Sequence, residues 1–290
     1  MLVASDSRHH LAAIPAGETI AMTSAPRKVA FVTAATEHGT LIINRFDRHQ
    51  IDAHNAYGVG CQLLDRAFYD QDEVHLARTL LDLRRKHHGN GVVAVDCGAN
   101  IGVHTIEWAR HMTAWGVVLA LQAQERIYYA LAGNIAINNC FNARAIHAAV
   151  TSRPGTMKIP SPNYLVESSF GSLELKKREQ TEFIGQAIDY SEGRMLDVPA
   201  VSLDTLNFPR LDLVKIDVEG MELDVLGGGA NCIATMRPIL LVEMIKSDKD
   251  ELRGWLERFG YMVLACGMNF VAVHKQDPCG HRIQVESRAA

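Results

Sequence analysis

From Gly91 onward the chain repeats one pattern, a strand-length apolar run followed by a stretch with helical periodicity. Gly91 to Val95, Val117 to Leu121 and Ala145 to Val150 are apolar on both strand faces, and helices are predicted between them over 100–113 and 125–138. Such strands alternating with helices demand a parallel sheet. Each parallel crossover needs a helix, and the helices cover both faces. The rhythm breaks over 151–200, where Pro154, Gly155, Pro160, Pro162, Gly171 and the run Lys176-Lys177-Arg178 predict an insertion of hairpins and loops. It resumes with strands over 211–216 and 239–242 and helices from near Met221 and over 250–259. A closing antiparallel pair is expected over 261–264 and 270–274, turning at Gly267.

The 290 residues allow about two domains by length alone. The pattern favours one α/β domain over 90–275, carrying the 151–200 insertion. Residues 28–89 read as an extension, with a hairpin turning at Glu37-His38-Gly39 and a loop over 49–70. A helix from Glu73 to His87 completes it, capped by Asp72, with Val74, Ala77, Leu80, Leu81 and Leu83 as its apolar stripe and Gly89 and Gly91 ending it. Residues 1–27 read as a loosely ordered tail and 276–290 as a polar tail. A hydrophobic content of 48% with 21% charged residues excludes a disordered or fibrous chain. The net charge of −4 gives no global attraction to nucleic acid or anionic membrane. No apolar run approaches the ~18 residues of a membrane span. The N-terminus lacks a basic stretch leading into an apolar core. The six cysteines show no CxxC spacing, so reduced thiols in a cytoplasmic protein are expected.

The densest local signal is Val95-Asp96-Cys97-Gly98-Ala99-Asn100-Ile101-Gly102, where a strand hands over to a helix. Small residues there let a ligand approach the backbone, and the free N–H groups of the helix face it. Open α/β sheets bind ligands at this edge. The spacing Asp-x-Gly-x-x-x-Gly differs from the Gly-x-Gly-x-x-Gly of dinucleotide sites. It suits S-adenosylmethionine, whose ammonium wants an acid. A tight turn with no ligand is the alternative.

Asp96 to Thr105 resembles the first motif of the FkbM methyltransferase family. Lys215-Ile216-Asp217-Val218-Glu219-Gly220-Met221-Glu222, followed by Val225-Leu226-Gly227-Gly228, resembles its second signature. The resemblance runs from about residue 90 to 275. It implies a class I, Rossmann-like α/β fold: a seven-stranded, mostly parallel sheet with an antiparallel last strand and helices on both faces. It also implies S-adenosylmethionine as cofactor and O-methylation of a small-molecule or glycan hydroxyl. Asp96, Gly98, Ala99, Asn100 and Gly102 would then line the methionine part. His104 and Thr105 would reach its carboxylate through the helix N-terminus, or His104 would be an exposed helix residue. Gln122 stands where such enzymes carry an acid for the ribose hydroxyls. An amide bonds them without charge assistance, so either affinity is lower or Gln124 or Glu125 does this work. Ala149, Val150 and Thr151 would flank the adenine.

The residues themselves supply a row of acids at strand ends. Adjacent parallel strands lie about 4.8 Å apart, which would set Asp217 beside Glu243. Either can take the acceptor's proton or hold its hydroxyl. Glu219 joins them or holds the loop, and Glu222 reads as a helix-start acid. Paired acids also suit a divalent ion, yet nothing else in the sequence indicates one, and no metal is expected. His9-His10 and His87-His88 read as solvated, His147 as strand packing and Tyr128-Tyr129 as helix packing. Lys176 to Arg178 reads as a solvated face or a contact for a phosphorylated acceptor. Ser168 to Ser172, Tyr57 and Gln62 are candidates to border or cover the acceptor pocket. N- or carboxyl-methylation, or a non-catalytic cofactor-binding module, are the competing readings.

Overall fold

The computed structural model describes residues 27–53 and 55–282. The tail at 1–26, with His9-His10, and residues 283–290 lie outside them. In chain order the extension holds strands β1 (Phe31–Thr36), β2 (Gly39–Asn44), β3 (His49–Gln50) and β4 (Ala56–Tyr57), then helices α1 (Val59–Arg66) and α2 (Gln71–His88). Next come β5 (Val92–Cys97), α3 (Val103–His111), β6 (Gly116–Gln122), α4 (Glu125–Ile137), β7 (Ala143–His147), β8 (Ala149–Val150), β9 (Gly155–Ile159) and β10 (Leu196–Val201). The chain continues with β11 (Leu213–Ile216), α5 (Glu222–Gly228), α6 (Ala230–Met236), β12 (Ile239–Glu243), α7 (Lys249–Arg258), β13 (Tyr261–Cys266) and β14 (Asn269–His274).

The central sheet has seven strands in the order β13-β14-β12-β11-β5-β6-β7. β12, β11, β5, β6 and β7 are mutually parallel, and β14, the last in sequence, runs antiparallel to both β12 and β13. Successive side chains alternate between faces. Val92 and Ala94 of β5, Leu213 of β11 and Ile239 and Leu241 of β12 join the core under α2 and α3. Val93, Val95, Cys97, Val214, Ile216, Leu240 and Val242 join the core on the opposite face. The same alternation puts Asp96, Lys215, Asp217 and Glu243 on the first face, just past its apolar part.

Several local expectations are corrected. The stretch 49–70, read as loop, contains α1, which buries Val59, Cys61 and Leu63. Gly58 and Gly60 mask the helix in the sequence, but Gly60 is tight against the Asn44 carbonyl and Gly58 holds a φ of +138°, so both glycines serve close approach. Asp70, not Asp72, precedes α2, and Asp72 sits in its first turn. The α3 helix begins at Val103 because Asn100 and Gly102 are both left-handed. The third strand ends at His147, and Ala149–Val150 leaves to pair with β10 in a separate three-stranded sheet. In the insertion, β9 and β10 pair antiparallel across a long excursion rather than in tight hairpins. The stretch read as a polar tail is anchored at its start: Asp277 pairs with buried Arg84, and Cys279 is fully buried. All six cysteines are free. Among the described residues no helix is long and apolar enough to cross a membrane.

The hairpin β1–β2 is fastened to the sheet domain by two asparagines four residues apart, Asn134 in α4 and Asn138 at its C-cap. Asn138 exchanges hydrogen bonds with both backbone groups of Thr40 (3.2 and 2.8 Å). Asn134, fully buried, accepts from the Ile42 N–H at 2.5 Å and donates to the Ile42 and Ile101 carbonyls at 3.2 and 2.9 Å. Helix spacing of four thus matches strand spacing of two, and α4 extends the edge ladder of β2. Asn134→Ala leaves these buried groups unpaired and is expected to cost about 2 kcal/mol. That lowers the melting temperature by roughly 4–8 °C, readable by calorimetric melting.

Candidate functional site

A cavity of about 390 Å³ opens at the carboxyl edge of β5, β6, β11 and β12. Its floor is the glycine-rich turn. Gly98 holds a φ of +84°, and a Cβ there would stand 1.8 Å from the Asp217 carbonyl oxygen, so only glycine lets the turn pass the exit of β11. Asn100 turns left-handed, and its Oδ1 accepts from the Ile101 N–H at 2.8 Å. Gly98, Ala99, Asn100, Ile101 and His104 line the cavity. Gly102 does not; a Cβ there would lie 2.6 Å from Leu131, so this glycine serves helix packing.

Asp96 ends β5 almost fully buried. Its Oδ2 accepts from the Thr105 hydroxyl at 2.7 Å, while its Oδ1 is buried with no hydrogen-bond partner among the described residues. Burial pushes its carboxyl above the usual range, against the pull of the Lys215 ammonium. Thr105 is therefore behind Asp96, outside the cavity wall, rather than on a ligand carboxylate. His104 is not an exposed helix residue: it is 6% exposed and faces the cavity. Burial and the Lys215 charge press its pKa down to about 3.

Gln122 lines the cavity, but its Oε1 accepts from the Ala123 and Gln124 N–H groups at 2.7 and 3.3 Å. Gln124 also lines it and ties the insertion down, donating to the Phe170 carbonyl at 2.8 Å and accepting from the Tyr164 hydroxyl at 3.0 Å. Glu125 points away and accepts from the Tyr129 hydroxyl. Ala149 and Val150 are in the wall; Thr151 is not, and its N–H donates to the Val201 carbonyl.

The acids meet on the opposite side of the turn. Ile216 pairs with Val242 in register, so Asp217 and Glu243 are the next residues on neighbouring strands. Asp217 accepts from the Lys215 ammonium at 2.7 Å. Glu243 has a buried Oε2 with no hydrogen-bond partner among the described residues. Burial, with the charges of Asp217 and Glu219, raises its pKa to about 9. Glu219, held left-handed at φ +58°, pairs with Lys246 at 2.5 Å; burial and Asp217 raise it to about 8. Glu222 is fully buried under the loop, accepting from the Val218 and Gly220 N–H groups. It is structural, as its helix-start position suggests.

Several lining residues escape a sequence reading. Lys215, 4% exposed, sits among Asp217, Glu73 and Asp96, whose charges keep it protonated although burial acts against it. The available signal is a lone lysine inside a four-residue apolar strand, a buried charge that requires partners. Lys246 bonds the Ser172 carbonyl, Glu182 and Glu219 at 2.7, 2.8 and 2.5 Å, locking the insertion to the acid loop. Asp70 and Glu73 reach the cavity from the start of α2. Tyr57, Gln62, Ser169, Gly171 and Ser172, candidates from the sequence, all line it. Lys176 to Arg178 is exposed, with Lys176 paired to Asp224. Asp70, Glu73, Asp96, Asp217, Glu219 and Glu243 thus share the wall with Lys215 and Lys246.

A family model described as the methyltransferase FkbM domain matches residues 96–263. The methyltransferase sdnD of Sordaria araneosa is 30% identical over 154 residues, covering 46% of this chain and 59% of that protein. The chain thus spans less than two thirds of that relative's length. The crystal structure of methyltransferase FkbM from Methylobacillus flagellatus KT matches with a TM-score of 0.44 at 14% identity, covering 63% of this chain and 44% of that one. Magnesium protoporphyrin IX methyltransferase from Synechocystis PCC 6803, solved with bound SAM, matches at 0.40 and 11% identity, covering 70% and 79%.

Gly98→Ala forces the turn away from β11 and strains the backbone. It is expected to cost about 3 kcal/mol or more, seen as a lowered melting temperature.

Proposed function

The chain belongs to the FkbM methyltransferase family, and we propose that it moves the methyl group of S-adenosylmethionine onto a hydroxyl of a sugar, glycan or natural-product metabolite. One observation carries this reading. Among the described residues, the buried carboxylate oxygens Asp96 Oδ1 and Glu243 Oε2 both lack a hydrogen-bond partner, and both residues line one cavity. One suits a cofactor ammonium and the other an acceptor hydroxyl.

When bound, S-adenosylmethionine supplies an electrophilic methyl group on a sulfonium. In this reading Asp96 Oδ1 takes the ammonium, and Gly98, Ala99 and Asn100 keep the turn thin enough for the methionine part. Gln122 keeps its amide N–H groups for the ribose, its oxygen being engaged by backbone. The ribose then lacks a carboxylate partner and its binding is weaker than a charged pair would give. Val150 flanks the adenine.

At the acid edge, Glu243 or Asp217 holds the acceptor hydroxyl and receives its proton. The oxygen–methyl bond forms as the carbon–sulfur bond breaks, with that electron pair staying on sulfur. Glu219, neutralised by Lys246, holds the loop that carries Asp217. Tyr57, Gln62 and Ser169 to Ser172 shield the reacting atoms from water, which limits hydrolysis. The catalytic domain is taken as 90–275, with the 28–89 extension and 151–200 insertion supplying its cover.

Calorimetry with S-adenosylmethionine and its demethylated product tests the cofactor. Transfer of a labelled methyl group to hydroxylated, amine and carboxyl acceptors tests the reaction. No heat with either cofactor form overturns the reading. Transfer only to amines or carboxyls moves the activity to N- or carboxyl-methylation, and binding without transfer to any acceptor leaves a binding module.

Asp96→Ala is expected to weaken cofactor binding by about 100-fold, or about 3 kcal/mol. Wild-type affinity in that variant removes Asp96 from the site. Glu243→Gln is expected to keep cofactor affinity and slow turnover by about 10²–10³-fold. With Glu243 at about 9, its carboxyl holds a proton below that pH and cannot accept another. The wild-type kcat/KM therefore rises with pH to a limb near 9, and Glu243→Gln loses that limb. The positive charge of the bound cofactor shifts the corresponding kcat limb to lower pH.

A further inference from the structure

Asp70, Glu73 and His104 converge in the cavity wall from two helix starts. Asp70 sits just before α2 in a left-handed conformation, Glu73 follows in the first turn, and His104 lies in the first turn of α3. One ligand atom from each lies within 4.8 Å of the others. His104 is 6% exposed, and its Nε2 faces Glu73 Oε1 at 3.4 Å. Among the described residues neither atom has a hydrogen-bond partner. Two buried polar atoms thus face each other at ion-pair distance without a hydrogen bond, an arrangement that is costly unless something binds between them.

The neighbours meet that need only in part: the Asp70 side chain hydrogen-bonds the Glu73 carboxylate. Asn269 donates to the other Glu73 oxygen at 2.6 Å and so fixes the carboxylate's orientation. The Lys215 ammonium is 3.9 Å from Glu73 Oε1 and is committed to Asp217 at 2.7 Å.

We propose that Asp70, Glu73 and His104 bind a divalent first-row transition-metal ion in the wall of the active-site cavity. Two carboxylates and one imidazole, with no thiolate, suit Mn²⁺, Co²⁺ or Zn²⁺. Ca²⁺ prefers six to eight oxygens, and Mg²⁺ an octahedron of oxygens. Three protein ligands leave coordination positions open, as in catalytic rather than structural sites. Those positions face the cavity. Resting on the methyltransferase reading above, the ion's natural partner is an acceptor with two adjacent oxygens, a vicinal diol. Chelation would fix which hydroxyl faces the methyl group and ease loss of its proton.

The test uses the full chain, stripped with a chelator and titrated with Co²⁺ alone. Visible absorption follows the coordination, and calorimetry with Mn²⁺ gives the stoichiometry. One ion per chain is expected. His104→Gln and Glu73→Gln are expected to weaken binding by about 10–100-fold, while Asp224→Asn, outside the cavity wall and paired with Lys176, leaves it within about twofold. Melting curves close to wild type certify that the variants fold. Catechol, a vicinal diol, is expected to change the bound Co²⁺ spectrum, whereas phenol is not. Absence of stoichiometric binding, or wild-type binding in folded His104→Gln, overturns the site. An unchanged spectrum with catechol overturns the diol. Cofactor calorimetry on the metal-free chain keeps this failure distinct: heat with S-adenosylmethionine alone leaves the methyltransferase reading standing even if no metal binds.

Discussion

Everything at the acid edge depends on one buried ammonium. Lys215 stands in the middle of β11, and its charge lies against Asp217, within ion-pair reach of Glu73 and close enough to hold down Asp96. Burying that many carboxylates together in a low-dielectric wall would otherwise force them to take up protons. Where burial and neighbouring acids outweigh the lysines, that happens: Glu243 is pushed up to about 9 against the pull of Lys215, and Glu219, although paired with Lys246, to about 8. The cavity therefore holds two carboxyls, Glu243 and Glu219, whose burial favours the protonated form at neutral pH.

A second buried acid binds the cover to the catalytic sheet. Asp47 accepts from the Gly60 N–H at 2.9 Å and from the Phe170 N–H at 3.0 Å, joining the start of α1 to the insertion. Its carbonyl also accepts from the Cys61 N–H. Burial raises its carboxyl to about 6 in spite of both N–H donors. Tyr57 reaches Glu182 of the insertion at 2.6 Å, and Lys246 ties the same residue to the acid loop. The extension and the insertion are thus joined into one wall over the cavity.

Much of this was legible along the chain. The alternation of apolar runs and helices specified a parallel sheet with an antiparallel close, and the acids at the ends of β5, β11 and β12 were visible as exceptions in apolar strands. Asp96, Gly98, Ala99 and Asn100 line the cavity as their motif implies. What was misread has local causes. Glycines at 58 and 60 hid α1, because the tight contacts that require them lie elsewhere in the chain. Thr105 and Gly102 were read as ligand contacts, yet one supports Asp96 from behind and the other makes room for Leu131. Gln122 stood where an acid is usual, and only its hydrogen bonds show that its oxygen serves the backbone turn.

By itself, the sequence determined the sheet, its edge and the face on which the acids stand, because side-chain alternation is a property of covalent geometry and needs no distant partner. Tertiary structure alone decided which groups complete the cavity. Asp70 and Glu73 arrive from a helix before the sheet begins, Asn269 from its last strand, and Lys246 from beyond β12. Their meeting depends on loop closure across the whole chain, which no local spacing encodes. That convergence turns a row of acids into a site with a neutral histidine, a buried lysine and an unpaired carboxylate oxygen facing the same space.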